Sequence, residues 1–335
     1  MKALNSKARI TAIGSYVPNK IMSNDDLEKI VDTSDEWIVQ RTGMKERRIA
    51  AENEFTSTLC IRAVNDLIKR YGVNIQDVDM IIVPTTTSDF AIPSTASMIQ
   101  DAFGIPEAGA IDVNAACAGL TYGLHLANCL ITSGLHRKVL VIAGETLSKV
   151  TDYTDRTSCV LFGDGAGAML VEYDAEQPSF LSYIQDTKGS SGKHLYRTAL
   201  RNEWYGEPLR DSEKMVQNGR EVYKWATRTV PEGMEKLLEQ ANIKMKDLNW
   251  FVPHSANLRM IESICEKKGF PIEKVLTSMV YYGNTSSASI VLALDLAVKD
   301  GRVTQDDVLL LIGFGGGFTY TGLIVKWGVP SNIKE

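Results

Sequence analysis

The chain has 335 residues, of which 44% are hydrophobic and 23% are charged, and its formal net charge is −5 at pH 7. These values are typical of a globular protein with one large domain or two of ordinary size, and the negative charge argues against a nucleic-acid partner. No apolar run is long enough to cross a membrane, and residues 1–7 lack the apolar core of a signal peptide. The five cysteines form no CxxC pair, so we expect a reduced, cytoplasmic protein without a metal.

Apolar segments alternate between strand-like and helix-like spacing through the first half of the chain. This alternation favours an α/β fold, in which strands and helices form separate layers. The expected elements are a strand over 8–13, a helix from Asn24, a helix over Thr56–Tyr71, a strand over Met80–Pro84, a helix over 94–103, a strand over 139–143, and two strands over 160–162 and 168–172 joined by the glycine-rich residues 163–167.

A tryptophan and an arginine stand four residues apart within the segment 33–49. On a helix, Trp37 and Arg41 would share one face. An indole beside a guanidinium can stack on a nucleotide base and hold a phosphate. The alternative is a structural tryptophan next to a solvated basic turn.

Cys117 stands at the start of a predicted helix that follows a buried strand. An apolar run over 108–113 leads into small residues over 115–119, and apolar residues then recur at helical spacing over 120–131. The positive end of a helix dipole favours a thiolate, so this position would make Cys117 a nucleophile. The alternative is a small buried cysteine without a chemical role.

The middle of the chain, residues 185–212, loses both periodicities and is rich in glycines, charged residues and scattered aromatic residues. A stretch of this length without regular structure is usually functional or disordered. Helical spacing resumes over 213–240.

The second half of the chain repeats three segments of the first half in the same order. Each match is weak alone, but all three are separated by 169 or 170 residues, which is about half the chain. We therefore expect two similar α/β halves, residues 1–175 and 176–335, related by a pseudo-twofold axis. The matching segments are Val83-Pro84 with Val252-Pro253, 139–144 with 308–313, and 124–127 with 294–297.

The second half supplies a histidine and an asparagine at positions that a pseudo-twofold axis would bring to Cys117. The repeat matches Cys117 with Ser287, just after Asn284, and matches the residue after Pro84 with His254. A cysteine, a histidine and an asparagine at one seam suit acyl transfer, in which a thiolate attacks a thioester. Taken alone, His254 is equally typical of a hydrogen-bonded structural histidine.

A glycine-rich segment, residues 313–319, follows another predicted strand. Glycines allow backbone N–H groups to approach a reacting carbonyl, as an oxyanion hole requires. The segment lacks the Gly-Lys-Ser/Thr of a P-loop, and Phe318 stands where a dinucleotide-binding fingerprint needs glycine. The remaining alternative is a tight glycine turn between two strands.

Several short motifs occur together in a fixed order. They are 33–38, Arg41-Thr42-Gly43, Ala116-Cys117-Ala118-Gly119, 162–167, 252–259, Gly283-Asn284-Thr285-Ser286 and 315–318. This ordered set resembles the β-ketoacyl-acyl-carrier-protein synthase III family, the thiolase-fold enzymes that start fatty-acid synthesis, and especially its Bacillus-type members. The resemblance runs from about Ala8 to Trp327.

The resemblance implies a five-layer α-β-α-β-α thiolase-like fold and a catalytic triad of Cys117, His254 and Asn284. In the family mechanism, the cysteine takes an acyl group from acyl-CoA, after which malonyl-acyl-carrier protein enters and loses CO2. The histidine and the asparagine stabilise the enolate that attacks the acyl-cysteine. The asparagine indicates the CoA-primed class, and the family's oxyanion hole corresponds to the backbone N–H groups of Cys117 and Gly316.

The resemblance also implies the substrate contacts and the assembly. It implies a homodimer that acts on acyl-CoA and malonyl-acyl-carrier protein, with no cofactor and no membrane partner. The residues implied for CoA binding are Trp37, Arg41, Arg156, Gly219, Tyr223 and Asn257. Those implied for binding the acidic carrier protein are Arg259, Lys224 and Lys267.

Ile92 departs from many relatives, which have phenylalanine at the end of the acyl pocket, contributed across the dimer. Because a smaller, branched residue leaves more room, we expect branched or medium primers such as isobutyryl-, isovaleryl- or 2-methylbutyryl-CoA. Two other functions remain open: a condensing enzyme of secondary metabolism with another acceptor, and a non-catalytic acyl-binding subunit. The second would be expected to have lost Cys117.

Overall fold

The computed structural model of the protein describes residues 4–210 and 213–330, so residues 1–3 of the predicted N-terminal segment and the end of the segment 185–212 lie outside the described residues. Within these ranges the α-helices are α1 Asn24–Glu28, α2 Asp35–Thr42, α3 Thr56–Tyr71, α4 Thr95–Phe103, α5 Gly119–Thr132, α6 Gly219–Ala241, α7 Leu258–Lys268, α8 Met279–Tyr282 and α9 Ser289–Lys299. The strands are β1 Ala8–Tyr16, β2 Lys20–Ser23, β3 Glu46–Ile49, β4 Met80–Pro84, β5 Gly109–Val113, β6 Lys138–Thr146, β7 Asp164–Tyr173, β8 Phe180–Thr187, β9 Leu195–Tyr196, β10 Glu203–Trp204, β11 Glu207–Pro208, β12 Val216–Gln217, β13 Trp250–Pro253, β14 Val308–Gly315 and β15 Thr319–Lys326.

Two large sheets share the same order of four strands, and the first sheet has β5 as an additional edge strand. The first has the strand order β1-β7-β6-β4-β5 and the second has the order β8-β15-β14-β13 when read in the same direction. In the first sheet Ile81 pairs with Leu140 in a parallel ladder, and in the second Trp250 pairs with Leu309. Both partners are displaced by 169 residues, so the repeat in the sequence is a repeat in strand register.

Side chains of the sheets alternate between a central core and two outer cores. Val139 and Val141 of β6 belong to the central core together with residues of α5 and α9, whereas Leu140 and Ile142 face α3 and α4. Such alternation is expected for a sheet that is covered on both faces.

The second sheet shows the same alternation. Leu309 and Leu311 of β14 face the central core, while Leu310 and Ile312 face α6 and α7. The layers are therefore helices, sheet, helices, sheet, helices, which confirms the five-layer α-β-α-β-α arrangement of two pseudo-symmetric halves. The predicted boundary between residues 175 and 176 falls between β7 and β8, and as a domain boundary it stays a proposal.

Three element predictions differ from the structure. Residues 160–162 are buried but form no strand, because only Phe162 pairs, through a single bridge to Asn284. Residues 164–167, predicted as a loop, already belong to β7. The helix predicted over 213–240 begins at Gly219, where the Asn218 side chain accepts the Glu221 N–H and caps the first turn. The predictions of α3 and β4 are confirmed to the residue.

Candidate active site

Cys117 lies in a 3-10 turn, Ala116–Ala118, that leads directly into α5. Ala116 has a φ of +46°, in the left-handed region that non-glycine residues rarely adopt, so the surrounding structure must hold this turn in place. The end of β14 passes very close to the turn. A Cβ at Gly315 would lie 2.9 Å from Cys117 Cβ and 3.0 Å from its Sγ, so this approach requires glycine.

A cavity of about 1250 Å³ has Cys117, His254 and Asn284 in its lining. His254 and Asn284 are only 2% and 6% exposed, which assigns them to the closed end of the cavity. Arg41, which also lines the cavity, is exposed and marks the open end. The cavity therefore joins a thiol from the first half of the chain to an imidazole and a carboxamide from the second.

His254 directly follows β13 and is held by hydrogen bonds on its backbone and its ring. Its backbone N–H donates to the Ile312 carbonyl at 2.9 Å, and its Nδ1 lies 2.8 Å from Ser289 Oγ. The Phe314 ring packs edge-on with a centroid distance of 5.3 Å. Burial lowers the pKa of His254 to about 3, so the imidazole is neutral at pH 7.

Asn284 is fixed through three hydrogen bonds. Its backbone N–H donates to the Leu161 carbonyl at 2.8 Å, and its carbonyl accepts the Gly163 N–H at 3.1 Å. Its side-chain Oδ1 accepts the Ser286 N–H at 2.9 Å. Because the oxygen of the carboxamide is occupied, the Nδ2 group is the part that can donate to a substrate.

The expectation that the helix start would favour a Cys117 thiolate is wrong. Burial raises the pKa of the Cys117 thiol to about 12, and hydrogen bonds from the Ser286 side chain and from the Cys117 backbone N–H offset this only in part. The negative charge of nearby Glu145 acts in the same direction as burial. The resting site at pH 7 therefore holds a neutral thiol and a neutral imidazole.

An indole and two guanidinium groups lie together near the mouth of the cavity. Trp37 and Arg41 are both on α2 and line the cavity, with the Arg41 guanidinium 6.0 Å from the indole centroid. Arg156 lies outside the cavity lining, 4.9 Å from the same centroid, and its guanidinium pairs with Asp32 at 3.3 Å. Asn257 connects α7 to this cluster by donating from Nδ2 to the Arg41 carbonyl at 3.0 Å.

The other predicted substrate residues divide into two groups. Those that line the cavity are Gly219, Tyr223, Asn257, Arg259 and Gly316. Lys224 and Lys267 lie outside the lining: Lys224 is exposed and 3.9 Å from Glu221, and Lys267 donates from Nζ to the Thr227 carbonyl at 2.9 Å.

Ile92 is 89% exposed and lines a separate cavity of about 520 Å³. The two cavities share Thr86, Asn114 and Arg197 in their linings. In this single chain Ile92 therefore does not reach Cys117, and a role in the acyl pocket across a dimer stays a prediction.

Sequence reasoning missed three polar residues that surround the triad: Ser286, Ser289 and Glu145. Ser286 and Ser289 lie within two residues of Ser287, which the repeat matches with Cys117, so the signal was present in the sequence. Within residues 4–210 and 213–330, no cluster of three or more histidine, cysteine, aspartate or glutamate residues is arranged to hold a metal. None of the helices in the described part of the chain is both long and apolar enough to span a membrane.

The family models, the curated relatives and the solved structure described next agree on one family. The family models described as 3-oxoacyl-[acyl-carrier-protein (ACP)] synthase III and its C-terminal part match residues 111–189 and 238–327. The β-ketoacyl-[acyl-carrier-protein] synthase III 2 of Bacillus subtilis is 69% identical, over 97% of this chain and 100% of that protein, and the Bacillus anthracis protein of the same name is 64% identical, over 97% and 99%. A solved β-ketoacyl-[acyl carrier protein] synthase III from Thermus thermophilus is 42% identical with a TM-score of 0.92, over 96% of this chain and 99% of that one.

Proposed function

The chain belongs to the β-ketoacyl-acyl-carrier-protein synthase III family, and from that premise we propose how its own residues perform the family's reaction. The reaction joins an acyl-CoA primer to malonyl-acyl-carrier protein, giving 3-oxoacyl-acyl-carrier protein, CoA and CO2, and it initiates fatty-acid synthesis. The observation that supports the assignment of residues is the cavity of about 1250 Å³ whose lining contains Cys117, His254 and Asn284.

In the first step, Cys117 Sγ attacks the thioester carbonyl of the acyl-CoA. The new carbon–sulfur bond forms as the bond to CoA breaks, and CoA leaves as its thiol with the proton that Cys117 gives up. The developing oxyanion is stabilised by the backbone N–H groups of Cys117 and Gly316. Because the resting thiol is neutral, its proton must move during the attack rather than before it.

In the second step, malonyl-acyl-carrier protein binds and loses CO2. Negative charge then develops on its thioester oxygen, where His254 and the Asn284 Nδ2 group donate hydrogen bonds. We assign the proton of the neutral imidazole to Nε2, the nitrogen that donates, with Ser289 Oγ donating to Nδ1 from 2.8 Å away. The enolate carbon attacks the acyl carbonyl on Cys117, the bond between that carbonyl and Sγ breaks, and the Cys117 thiolate takes a proton from solvent, since its own proton left with CoA.

The open end of the cavity suits a nucleotide and an acidic partner. Trp37 offers an aromatic face, and Arg41 and Arg156 offer positive charge beside it. Arg259 is exposed on α7 at the same opening, where it would attract an acidic carrier protein.

The primer preference and the assembly complete the proposal. We assign branched primers to this enzyme because Ile92 is smaller than phenylalanine. This role requires a homodimer in which Ile92 of each chain lines the acyl pocket of its partner. The enzyme acts in the cytoplasm without a cofactor other than its CoA substrate.

The direct experiment gives the purified enzyme malonyl-acyl-carrier protein with acetyl-, isobutyryl-, isovaleryl- or 2-methylbutyryl-CoA. Mass spectrometry of the carrier protein should detect 3-oxoacyl products, formed faster from the branched primers. A clear preference for acetyl-CoA would contradict the primer assignment. Failure to form 3-oxoacyl products from every primer would contradict the activity.

A further inference from the structure

Arg47, in β3, is fully buried with 0% of its surface exposed. Among the described residues its guanidinium forms no ion pair; Nε donates to the Val160 carbonyl at 2.9 Å, Nη2 donates to the same carbonyl, and Nη1 donates to the Asn24 side chain. Burial lowers the pKa of Arg47 to about 10, so the group remains a cation at pH 7. Burying a charge without a counter-charge costs free energy of folding, so the buried position of Arg47 indicates a functional role.

The Val160 carbonyl, which accepts hydrogen bonds from Arg47, lies next to the residues that bind the backbone of Asn284. The Leu161 carbonyl, one residue after Val160, accepts the Asn284 N–H, and the Gly163 N–H donates to the Asn284 carbonyl. The backbone of Asn284 is therefore held by hydrogen bonds to Leu161 and Gly163. Arg47 binds the carbonyl of Val160, the residue just before this segment.

The stem of Arg47 also touches the chain on the other side of Asn284. A Cβ at Gly283 would lie 2.9 Å from Arg47 Cγ, and one at Gly163 would lie 3.4 Å from Arg47 Cβ. Just before β3, the Lys45 N–H donates to the Val280 carbonyl of α8, three residues before Gly283. Arg47 thus packs between the two segments that meet at Asn284.

The far side of the guanidinium is fixed by Asn24, which is 2% exposed. The Asn24 Nδ2 group donates to the Asp35 carboxylate at 2.7 Å and to the Met44 carbonyl at 2.9 Å. Asp35 begins α2, the helix of Trp37. One network of hydrogen bonds, buried at Arg47 and Asn24, therefore runs from the exposed start of α2 to the Asn284 segment.

We propose that Arg47 is a positioning residue for Asn284, holding its carboxamide where the enolate oxygen forms. The inference rests on the proposed function, in which Asn284 acts in the second step but not in the first. A small displacement of a hydrogen-bond donor lowers a rate sharply because the donor no longer reaches the developing charge. Loss of Arg47 should therefore slow condensation selectively and leave acylation of Cys117 nearly intact.

The test measures the two half-reactions separately on the full-length enzyme in single turnovers. Acylation by isobutyryl-CoA is followed by intact-protein mass spectrometry, and condensation is followed by adding malonyl-acyl-carrier protein to the isolated acyl-enzyme. Arg47→Lys and Arg47→Met should slow condensation by about 10- to 100-fold and change acylation by less than about threefold. In an Asn284→Ala background, Arg47→Lys should have no further effect on condensation, because its effect acts through Asn284.

Arg70→Lys is the matched control, since Arg70 is also largely buried but pairs with Asp66 and Asp295, away from the cavity. It should leave both half-reactions unchanged. If Arg47→Met does not fold by circular dichroism, Asn24→Ser is the milder variant, which leaves Arg47 in place. Because Asn24 also contacts the start of α2, acylation is measured at saturating isobutyryl-CoA, and the smaller loss should then fall on condensation alone.

The outcomes separate the two levels of the account. A wild-type enzyme that is not acylated, or an Asn284→Ala variant with normal condensation, would contradict the proposed function itself. Normal condensation in the Arg47 and Asn24 variants, equal losses in both half-reactions, or additive losses with Asn284→Ala would overturn the role of Arg47 while the proposed function stands.

Discussion

The two halves of the molecule contain the same tight turn but use it differently. The turn of the first half is Ala116–Ala118 and leads into α5, and that of the second half is Ser286–Ala288 and leads into α9. Their first residues, Ala116 and Ser286, have nearly equal left-handed φ angles of +46° and +48°. The backbone geometry of a nucleophile turn is therefore present twice.

The surroundings of the two turns decide which one is reactive. Cys117 lines the cavity, whereas its counterpart Ser287 is completely buried. Ser287 Oγ lies 2.9 Å from the Glu145 carboxylate and 3.1 Å from the Pro84 carbonyl. One turn presents a thiol to a substrate, and the other uses a hydroxyl to join the two halves.

The groups that face the turns differ in the same way. The repeat matches His254 with Thr85 and Phe314 with Glu145. Around Cys117 the second half supplies a ring donor and an aromatic wall. Around Ser287 the first half supplies a buried carboxylate, which also accepts the Thr87 hydroxyl at 2.7 Å. A duplicated backbone can thus serve one active site when only one copy has donors facing an open cavity.

Substitutions at Cys117 and at its counterpart Ser287 should have the largest effect on the overall rate. Cys117→Ala should lower the overall rate by about 10⁴-fold or more, because the nucleophile is lost. Adding Ser287→Cys to that variant should restore nothing, because the new thiol is buried beside Glu145. Initial rates with isobutyryl-CoA measure both effects, and recovery of activity in the double variant would mean that the second turn is also open to substrate.

The second largest difference in rate is expected between variants of Asn284 and of Asn114, the asparagine that the repeat matches with it. Asn284→Ala should slow condensation by about 10²- to 10³-fold, since a donor to the enolate oxygen is removed. Its counterpart Asn114 lines both cavities but has no assigned part in the chemistry, so Asn114→Ala should change the rate by less than about tenfold. Equal losses in single-turnover condensation would show that the two halves contribute alike.

The protonation state of Cys117 gives a third test. Because its pKa is raised to about 12, the thiolate fraction should rise about tenfold per pH unit between pH 7 and 9, without a plateau. Alkylation by iodoacetamide, followed by peptide mass spectrometry, measures this rate and distinguishes Cys117 from the exposed Cys129. A plateau of the alkylation rate below pH 8 would contradict the raised pKa and show that Cys117 is a thiolate near neutral pH, as its position at the helix start predicts.

The smallest effect on rate is expected at Glu145. Glu145→Gln should lower the free energy of unfolding by about 1–3 kcal/mol, because an amide would place a donor against the hydroxyl donors of Thr86, Thr87 and Ser287. The overall rate should change by less than about threefold. Chemical denaturation and initial rates together test this, and a large loss of activity without loss of stability would assign Glu145 to the chemistry.

Much of this arrangement could be predicted from the sequence, because a repeat constrains topology. The offset of 169 or 170 residues predicts that His254 and Cys117 lie at one seam, and apolar periodicity predicts α3 and β4. The features that the sequence did not predict depend on how deeply a residue is buried and on contacts between segments that are distant in sequence. The apolar run 160–162 is a buried loop rather than a strand, and the pKa of Cys117 depends on burial that the position of a helix start does not reveal.

Buried polar groups were also beyond prediction. Arg47 stands in a basic segment that could have been a solvated turn, and its burial depends on Asn24 and Val160, which are distant in sequence. Ser289 lies 35 residues from His254, and its contact with the imidazole arises from packing of α9 against β13.

The most direct test of the asymmetry between the two turns is to map the acyl group on the enzyme after exposure to isobutyryl-CoA. Peptide mass spectrometry should find one acyl group for each chain, on the peptide that contains Cys117, and none on the peptide that contains Ser287. An acyl group on any other residue, or an enzyme that remains unmodified while it forms product, would contradict the account.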